Sequence, residues 1–273
     1  MRYALMAGLL TVLASSVIGT WVVLRGMSFM GDALAHGVLP GIAVAYVVGG
    51  NLLVGAAISA GVMIGGVSLA SARSRLGEDV AIGLLFVGML AAGVAIISRG
   101  GAYAGDLTTI LFGDPIGVTR GDIVVVAVAS VITLLVTALL YRPFLVLTFS
   151  RAKAEALGLR PGLAHLAMLA LVAVVVIASF RTVGTLLVFA FLVAPPATAA
   201  LVARRVPVMM AVSVLVGSVA TFVGLLVSFH VGTATAPTIA GFAVLAFFVV
   251  LTVVELRTQV ARRRAARRPE PAA

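Results

Sequence analysis

Long apolar segments follow one another along this chain, and they restrict its fold more than any other feature. A helix needs roughly 20 apolar residues to cross the hydrocarbon layer of a membrane. Of all residues, 62% are hydrophobic and 10% are charged, whereas a soluble domain carries roughly 25% charged residues. The sequence therefore predicts an all-α fold, a polytopic membrane helical bundle with eight or nine transmembrane segments.

Short polar or glycine-rich stretches separate the apolar segments. The second segment opens with charged residues and contains Pro40, so we expect it to be irregular, and eight spans remain an alternative to nine. The third contains Gly61 and Gly65 at a spacing that lets helices approach closely, although glycine is also frequent in membrane helices. The expected spans cover about 3–24, a segment ending near 48, 52–71, 80–98, 123–141, 163–180, 183–203, 208–229 and a segment ending near 256.

The basic residues predict the orientation of the chain, whose net charge is +10. With the C-terminus in the cytoplasm and nine alternating spans, 15 of the 19 Lys and Arg residues lie on the cytoplasmic side, as the positive-inside rule requires. We predict a membrane domain over 1–256, a basic cytoplasmic tail over 257–273 and an N-terminus outside. The positions of the charges argue against a nucleic-acid partner. The tail either contacts anionic membrane lipid or is a solvated, disordered segment.

Asp32 and His36 form the most distinctive polar pair, in the stretch GDALAHGVLPG. Residues four apart share one face of a helix, and an ionisable pair in a membrane-grade segment indicates a functional site. One carboxylate and one imidazole suit Zn²⁺, Mn²⁺ or Fe²⁺. The chain has no cysteine, so thiolate ligands are excluded. The alternative is structural: Asp32 would cap a helix, and His36 would bond to a backbone carbonyl.

Several further positions are candidates for contacts with partners or with a transported species. The segment 150–157 can form a short helix ended by Gly158 in a basic inner loop. Pro195 and Pro196 interrupt the seventh span, which indicates either a broken helix beside the translocation path or a packed kink. The remaining candidates are two histidines near span ends and three aspartates in the outer loop, which are His165, His230, Asp106, Asp114 and Asp122.

Five motifs in order resemble the permease subunits of zinc and manganese ABC importers, also called the ABC-3 permease family. They cover nearly the whole chain apart from the basic tail, with Ala35 and Gly26 as small departures from the family pattern. The motifs are VVLRGMSFMGDALAHGVLPGIAVAY, RLGEDVAIGLLF, DLTTILFG, AEALGL and VGTLLVFAFLVAPPATAALVA.

The resemblance implies an ABC importer permease fold, a second permease copy, cytoplasmic ATPase subunits and an extracytoplasmic metal-binding protein. It also implies that Zn or Mn is the transported ion and that the short inner helix couples to the ATPase. The chain has no phosphate-binding loop, so we expect it to hydrolyse no ATP, to be no enzyme and to bind no cofactor. The residues of the implied coupling segment are Ala154, Glu155, Ala156, Leu157, Gly158 and Leu159.

Two other kinds of transporter remain as alternatives at the level of the sequence. An ABC permease for a metal chelate needs a wide cavity without direct ligands, which Asp32 and His36 argue against. A secondary transporter driven by an ion gradient predicts inverted repeats and charges near the membrane centre. The sequence shows no clear repeat, and most spans are free of charged residues.

Overall fold

The computed structural model describes residues 2–73, 78–98, 113 and 117–266. Within these residues, all regular secondary structure is helical, which confirms the predicted all-α fold. The helices are α1 (Arg2–Leu24), α2 (Ser28–Gly37), α3 (Leu39–Val47), α4 (Leu52–Arg73), α5 (Glu78–Ser98), α6 (Arg120–Leu139), α7 (Tyr141–Phe149), α8 (Arg151–Ala156), α9 (Pro161–Val183), α10 (Thr185–Val202), α11 (Val206–Val231) and α12 (Thr235–Ala266).

The described part of the chain contains nine helical segments that are long and apolar enough to cross a membrane. Eight of them are single helices, and the second consists of α2 and α3 together, Ser28–Val47. This division confirms the irregularity predicted for that segment. Pro40 lies in the first turn of α3, where its missing N–H is tolerated. The Ser59 hydroxyl of α4 donates to the Gly37 carbonyl at 2.8 Å, so this last carbonyl of α2 has a partner.

Helix α1 lies at the centre of the bundle, where α6, α9, α10 and α11 pack around it. Its Trp21 side chain is fully buried and makes edge-on ring contacts with Tyr141 and Phe144 of α7. Thr11 of α1 donates a hydroxyl bond to Ser179 of α9 at 3.2 Å. Helices α2 to α5 pack on one side of this centre, and α10 to α12 pack together on the other. Most of the buried apolar side chains of these helices form one large core cluster, and Ala194, Ala220 and Ala243 of α10, α11 and α12 form a second, small one.

Glycine lets two pairs of helices bring their main chains into contact. A Cβ atom at Gly19 of α1 would overlap the Leu192 carbonyl of α10, and one at Gly41 of α3 would overlap the main chain of Gly55 in α4. Gly61 and Gly65 behave differently, because a Cβ at either would meet no atom of the chain within 4 Å. The spacing of Gly61 and Gly65 therefore does not mediate packing within the described chain.

Two helices differ from the sequence prediction. Helix α10 does not break at Pro195 and Pro196 but continues through both to Val202, so the predicted helix break is wrong as a statement about secondary structure. Both prolines are buried, and neighbouring helices can hold a membrane helix together where proline removes backbone bonds. Helix α12 does not end near residue 256 but continues to Ala266, so part of the predicted tail is helical.

Candidate functional site

Asp32 and His36 lie on one face of α2, as their spacing predicts. The His36 Nε2 atom is 3.5 Å from the Asp32 Oδ1 atom, and the two side chains are 21% and 25% exposed, respectively. A turn at Gly26, whose φ of 69° favours glycine, ends α1 and leads directly into α2. The short turn fixes where the two side chains lie relative to α1.

The two faces of α2 have different surroundings. On the face turned toward the bundle, a Cβ atom at Gly31 would lie 3.1 Å from the Leu192 side chain, so α10 packs closely there. On the other face, the His36 ring stands edge-on to Phe86 of α5 with centroids 5.6 Å apart, and Phe29 contacts the same ring. The pair is thus held by packing while its carboxylate and imidazole still reach the surface of the single chain.

The structural alternatives for these two residues do not fit their positions. Met27 occupies the N-cap of α2, and Asp32 lies in the second turn, too far along the helix to cap it. The buried His36 Nδ1 atom has no hydrogen-bond partner among the described residues. The carboxylate oxygens of Asp32 and the ring nitrogens of His36 therefore stay available to bind a metal ion.

The described residues bring together two candidate metal ligands, Asp32 and His36, and no third. Among the described residues, no group of three or more His, Cys, Asp and Glu side chains lies close enough to hold a metal ion. Structural and catalytic zinc sites use at least three protein ligands. A complete site at Asp32 and His36 therefore needs ligands from outside the described residues, such as water or a second copy of the chain.

The predicted inner helix is α8, preceded by Ser150, whose hydroxyl accepts a bond from the Lys153 N–H. Gly158 follows it with a φ of 69°, and the Leu159 N–H donates to the Ala154 carbonyl at 3.0 Å. This is the glycine-terminated helix end that the sequence predicts. Ala154 is buried against the bundle.

An apolar and charged surface surrounds α8. Leu157 is 67% exposed and Phe149, at the end of α7, is 78% exposed, while the side chains of Lys153 and Arg160 are also exposed. Large apolar side chains exposed beside charges in a loop between spans mark a surface suited to binding another protein.

The other histidines have structural neighbours. Arg25 donates to the His165 Nδ1 atom at 2.7 Å, which joins the turn before α2 to the first turns of α9. His230 is exposed at the end of α11, and its Nδ1 atom lies 2.8 Å from the Leu226 carbonyl of the same helix. No sequence pattern predicts the contact of Arg25 with His165, because the two residues are 140 positions apart.

Of the three outer aspartates, only Asp122 belongs to the described residues, while Asp106 and Asp114 lie outside them. Asp122 and Thr119 form a reciprocal capping box at the start of α6, and Arg181 lies 4.0 Å from the Asp122 carboxylate. Asp122 therefore has a structural role that its position as the third residue of a helix could have indicated.

Pro195 and Pro196 lie where α10 meets α1 and α11. A Cβ at Gly217 of α11 would be 3.4 Å from the Pro195 ring. Pro196 has no N–H to donate to the Leu192 carbonyl, and this oxygen is the atom that the Gly19 backbone approaches. The prolines thus shape the contact between α10 and α1.

The fold and the Asp32–His36 pair on α2 are those of a multi-pass membrane protein with a polar site among its candidate spans. A model of the ABC 3 transport family matches residues 1–254. The chain belongs to this family, which confirms the resemblance noted in its motifs.

Individual relatives extend this finding along most of the chain. The manganese transport system membrane protein MntC of Halalkalibacterium halodurans is 37% identical over 225 residues, which are 82% of this chain and 77% of the relative. The chelated iron transport system membrane protein YfeD of Yersinia pestis is 35% identical, with 92% and 84% covered. PsaBC from Streptococcus pneumoniae, solved in complex with Fab, aligns with a TM-score of 0.82 and 28% identity over 91% of this chain and 90% of that one.

Proposed function

We propose that this chain is the membrane permease subunit of an ATP-driven importer of divalent transition metal ions, with manganese, zinc or iron as substrate. The observation that carries the proposal is the pair Asp32–His36. The two residues lie on one face of a membrane helix, and the His36 Nε2 atom is 3.5 Å from the Asp32 Oδ1 atom. Relatives whose names specify manganese transport support the same substrate class.

The chemistry of the pair suits a transient binding site. An imidazole nitrogen and a carboxylate oxygen both bind Mn²⁺, Fe²⁺ and Zn²⁺, and affinity alone does not separate these ions. A second copy related by a two-fold axis would raise the number of protein ligands from two to four. Transport requires weak binding, because an ion held too tightly does not leave. Binding also requires the neutral imidazole, so acidic conditions should weaken transport.

The partners follow from the same proposal. Cytoplasmic ATPase subunits would bind around α8, where Leu157 and Phe149 are exposed. An extracytoplasmic metal-binding protein would deliver the ion to the opposite side. The chain itself would be no enzyme, because its sequence contains no phosphate-binding loop. It would lie in the plasma membrane with its C-terminus in the cytoplasm, where the basic tail would meet anionic lipid.

A permease for a metal chelate is the second candidate, because YfeD of Yersinia pestis is named as a chelated iron transport protein. A chelate arrives with its coordination sphere already filled, so its transport would not require Asp32 and His36 as ligands. The effect of removing these side chains on uptake of free metal ions therefore separates the two candidates.

The test is uptake of radioactive manganese, zinc and iron, each supplied separately, in cells that lack the native importer. The variants are Asp32→Ala, Asp32→Asn and His36→Ala at matched membrane levels, with His230→Ala as a control histidine at the end of α11. We expect the first three to lower uptake more than about tenfold, because losing even a residue that only supports a metal ligand costs roughly 10–100-fold. The control should transport normally.

The double variant Asp32→Ala with His36→Ala should be no worse than either single one, because one missing ligand already breaks the site. Wild-type uptake of free metal by either alanine variant would contradict the ligand role. Full activity of Asp32→Asn would show that the carboxylate charge is not needed.

A further inference from the structure

We propose that Arg25 and His165 are positioning residues that transmit movement of the ATPase-contact loop to the metal-ligand helix α2. This inference rests on the proposed function, since it assumes that α8 meets an ATPase and that α2 holds the metal ligands. Neither residue is placed near the metal itself. The role assigned to them is mechanical: they join two segments that must move together.

The contact is short and joins distant parts of the chain. The Arg25 Nη1 atom lies 2.7 Å from the His165 Nδ1 atom and 4.0 Å from the Met168 sulfur. Both Arg25 and His165 are half-buried, and Met168 is fully buried in the core beneath them. The arginine therefore reaches from the turn after α1 onto the start of α9.

The chemistry of the pair fixes which atom donates. A guanidinium group has N–H donors and no acceptor, and it keeps its charge at all physiological pH values. The His165 Nδ1 atom must therefore accept, with the imidazole proton on Nε2. Hydrogen bonds from a charged donor are stronger than bonds between neutral groups. A neutral acceptor at the Nδ1 position is thus the feature of His165 that matters.

On one side of the contact, the connection to α8 is short. Only the four residues 157–160 separate α8 from α9. The Leu159 N–H bonds to the Ala154 carbonyl at 3.0 Å, and the Ala164 N–H bonds to the Arg160 carbonyl at 3.1 Å. A displacement of α8 by a partner therefore reaches the first turn of α9, and with it His165, without a flexible linker between them.

On the other side, the connection to the metal ligands is equally short. The Gly26 N–H bonds to the Val23 carbonyl at 3.0 Å, and the Met27 N–H bonds to the Val22 carbonyl at 3.0 Å. These bonds close a tight turn from which α2 begins at Ser28. Asp32 follows in the second turn of α2. Movement of His165 that pulls on Arg25 is thus applied at the base of the helix that holds both ligands.

The experiment compares variants of the whole transporter, reconstituted in vesicles with its ATPase and its extracytoplasmic binding protein. The variants are Arg25→Ala, His165→Ala, the double variant, and the conservative His165→Asn, whose amide oxygen can accept near the Nδ1 position. His230→Ala is the matched control. Three quantities are measured: metal imported, ATP hydrolysed and the temperature of unfolding.

We expect Arg25→Ala and His165→Ala to raise the ATP consumed per imported metal about tenfold, within the range of coupling between distant sites. The double variant should match the single ones, because both remove the same interaction. His165→Asn should restore most of the coupling. A purely structural contact predicts a lower unfolding temperature and less import at an unchanged ratio of ATP to metal, and that result would overturn the proposal.

The outcome also separates this inference from the proposed function. If the wild-type transporter moves no metal ion, the proposed function fails. The role of the Arg25–His165 contact is then tested by the stimulation of ATP hydrolysis by the binding protein. The alanine variants should lower this stimulation, and His165→Asn should preserve it. Stimulation that is equal in all variants would overturn the positioning role.

Discussion

At the scale of single residues, the glycines of this bundle differ sharply in what surrounds them. Gly19 faces the Leu192 carbonyl so closely that no side chain fits, whereas Gly241 in α12 has no other part of the chain within 4 Å of a Cβ. Both are helical glycines, so the same substitution at the two positions separates packing from helix propensity. Alanine in place of glycine normally stabilises a helix by about 1 kcal/mol.

We therefore expect Gly19→Ala to destabilise the protein and Gly241→Ala to leave it unchanged or slightly more stable. The added methyl group at position 19 must push α1 away from α10, and overpacking of this kind costs about 1–3 kcal/mol. Unfolding of the purified protein in detergent, followed by circular dichroism, measures both effects. Equal stability of the two variants would show that α1 and α10 separate without cost.

At the scale of the element, α10 combines a continuous helix with two prolines in its interior. Alanine at positions 195 and 196 would restore two backbone N–H donors and straighten the helix. We expect this double variant to insert normally and to transport poorly, because the contact of α10 with α1 would shift. Pro207→Ala is the matched control, since Pro207 lies in the first turn of α11, where proline removes no helix bond. Unchanged metal uptake in the double variant would show that the two prolines contribute only to helix packing and not to transport.

The end of α8 allows an equally direct test of the proposed ATPase contact. Gly158 has a positive φ, and a Cβ there would meet no atom of the chain within 4 Å. The left-handed conformation strains an arginine at this position by roughly 1–2 kcal/mol, but the side chain has free space around it. Gly158→Arg should therefore insert and fold with slightly lower stability, yet its long side chain would block a docked subunit. Gly158→Asn is the control, since asparagine tolerates this conformation. We expect the arginine variant to lose the ATPase on purification and to stop transport, while the asparagine variant keeps both.

At the scale of the whole molecule, the proposed orientation, with all nine candidate spans of the described residues crossing the membrane, predicts that the two ends of the chain lie on opposite sides. Because the natural sequence has no cysteine, single cysteines can be introduced without background labelling. Ala234 lies exposed between α11 and α12, and Ala152 lies exposed on α8. We expect a membrane-impermeant maleimide to label Ala234→Cys in intact spheroplasts and Ala152→Cys only after permeabilisation. The reverse pattern would invert the proposed orientation.

Features that depend on local sequence could be predicted without the structure. The lengths of the apolar segments predict the spans, and Gly158 predicts the end of α8. The spacing of Asp32 and His36 predicts that they share one helix face. The contact of Arg25 with His165 could not be predicted, because tertiary packing alone joins them. The sequence left open a broken helix or a packed kink at Pro195 and Pro196, and the continuous helix contradicts the first of these. Local propensity could not decide between them, because it does not show that buried neighbours support the chain there.

The main-chain contact of Gly41 with Gly55 limits how this protein can move. The nearest side-chain atoms at this contact are the Cβ atoms of Ala45 and Ser59, which have no rotamer freedom. Because close-packed elements transmit displacement, we expect α3 and α4 to shift as one body. Tilting of α2 is then confined to the joint at Val38, where the two helices of the second span meet. A rotation about that joint would preserve the distance between Asp32 and His36, while it would change their distances from α5, from α10 and from an opposing subunit.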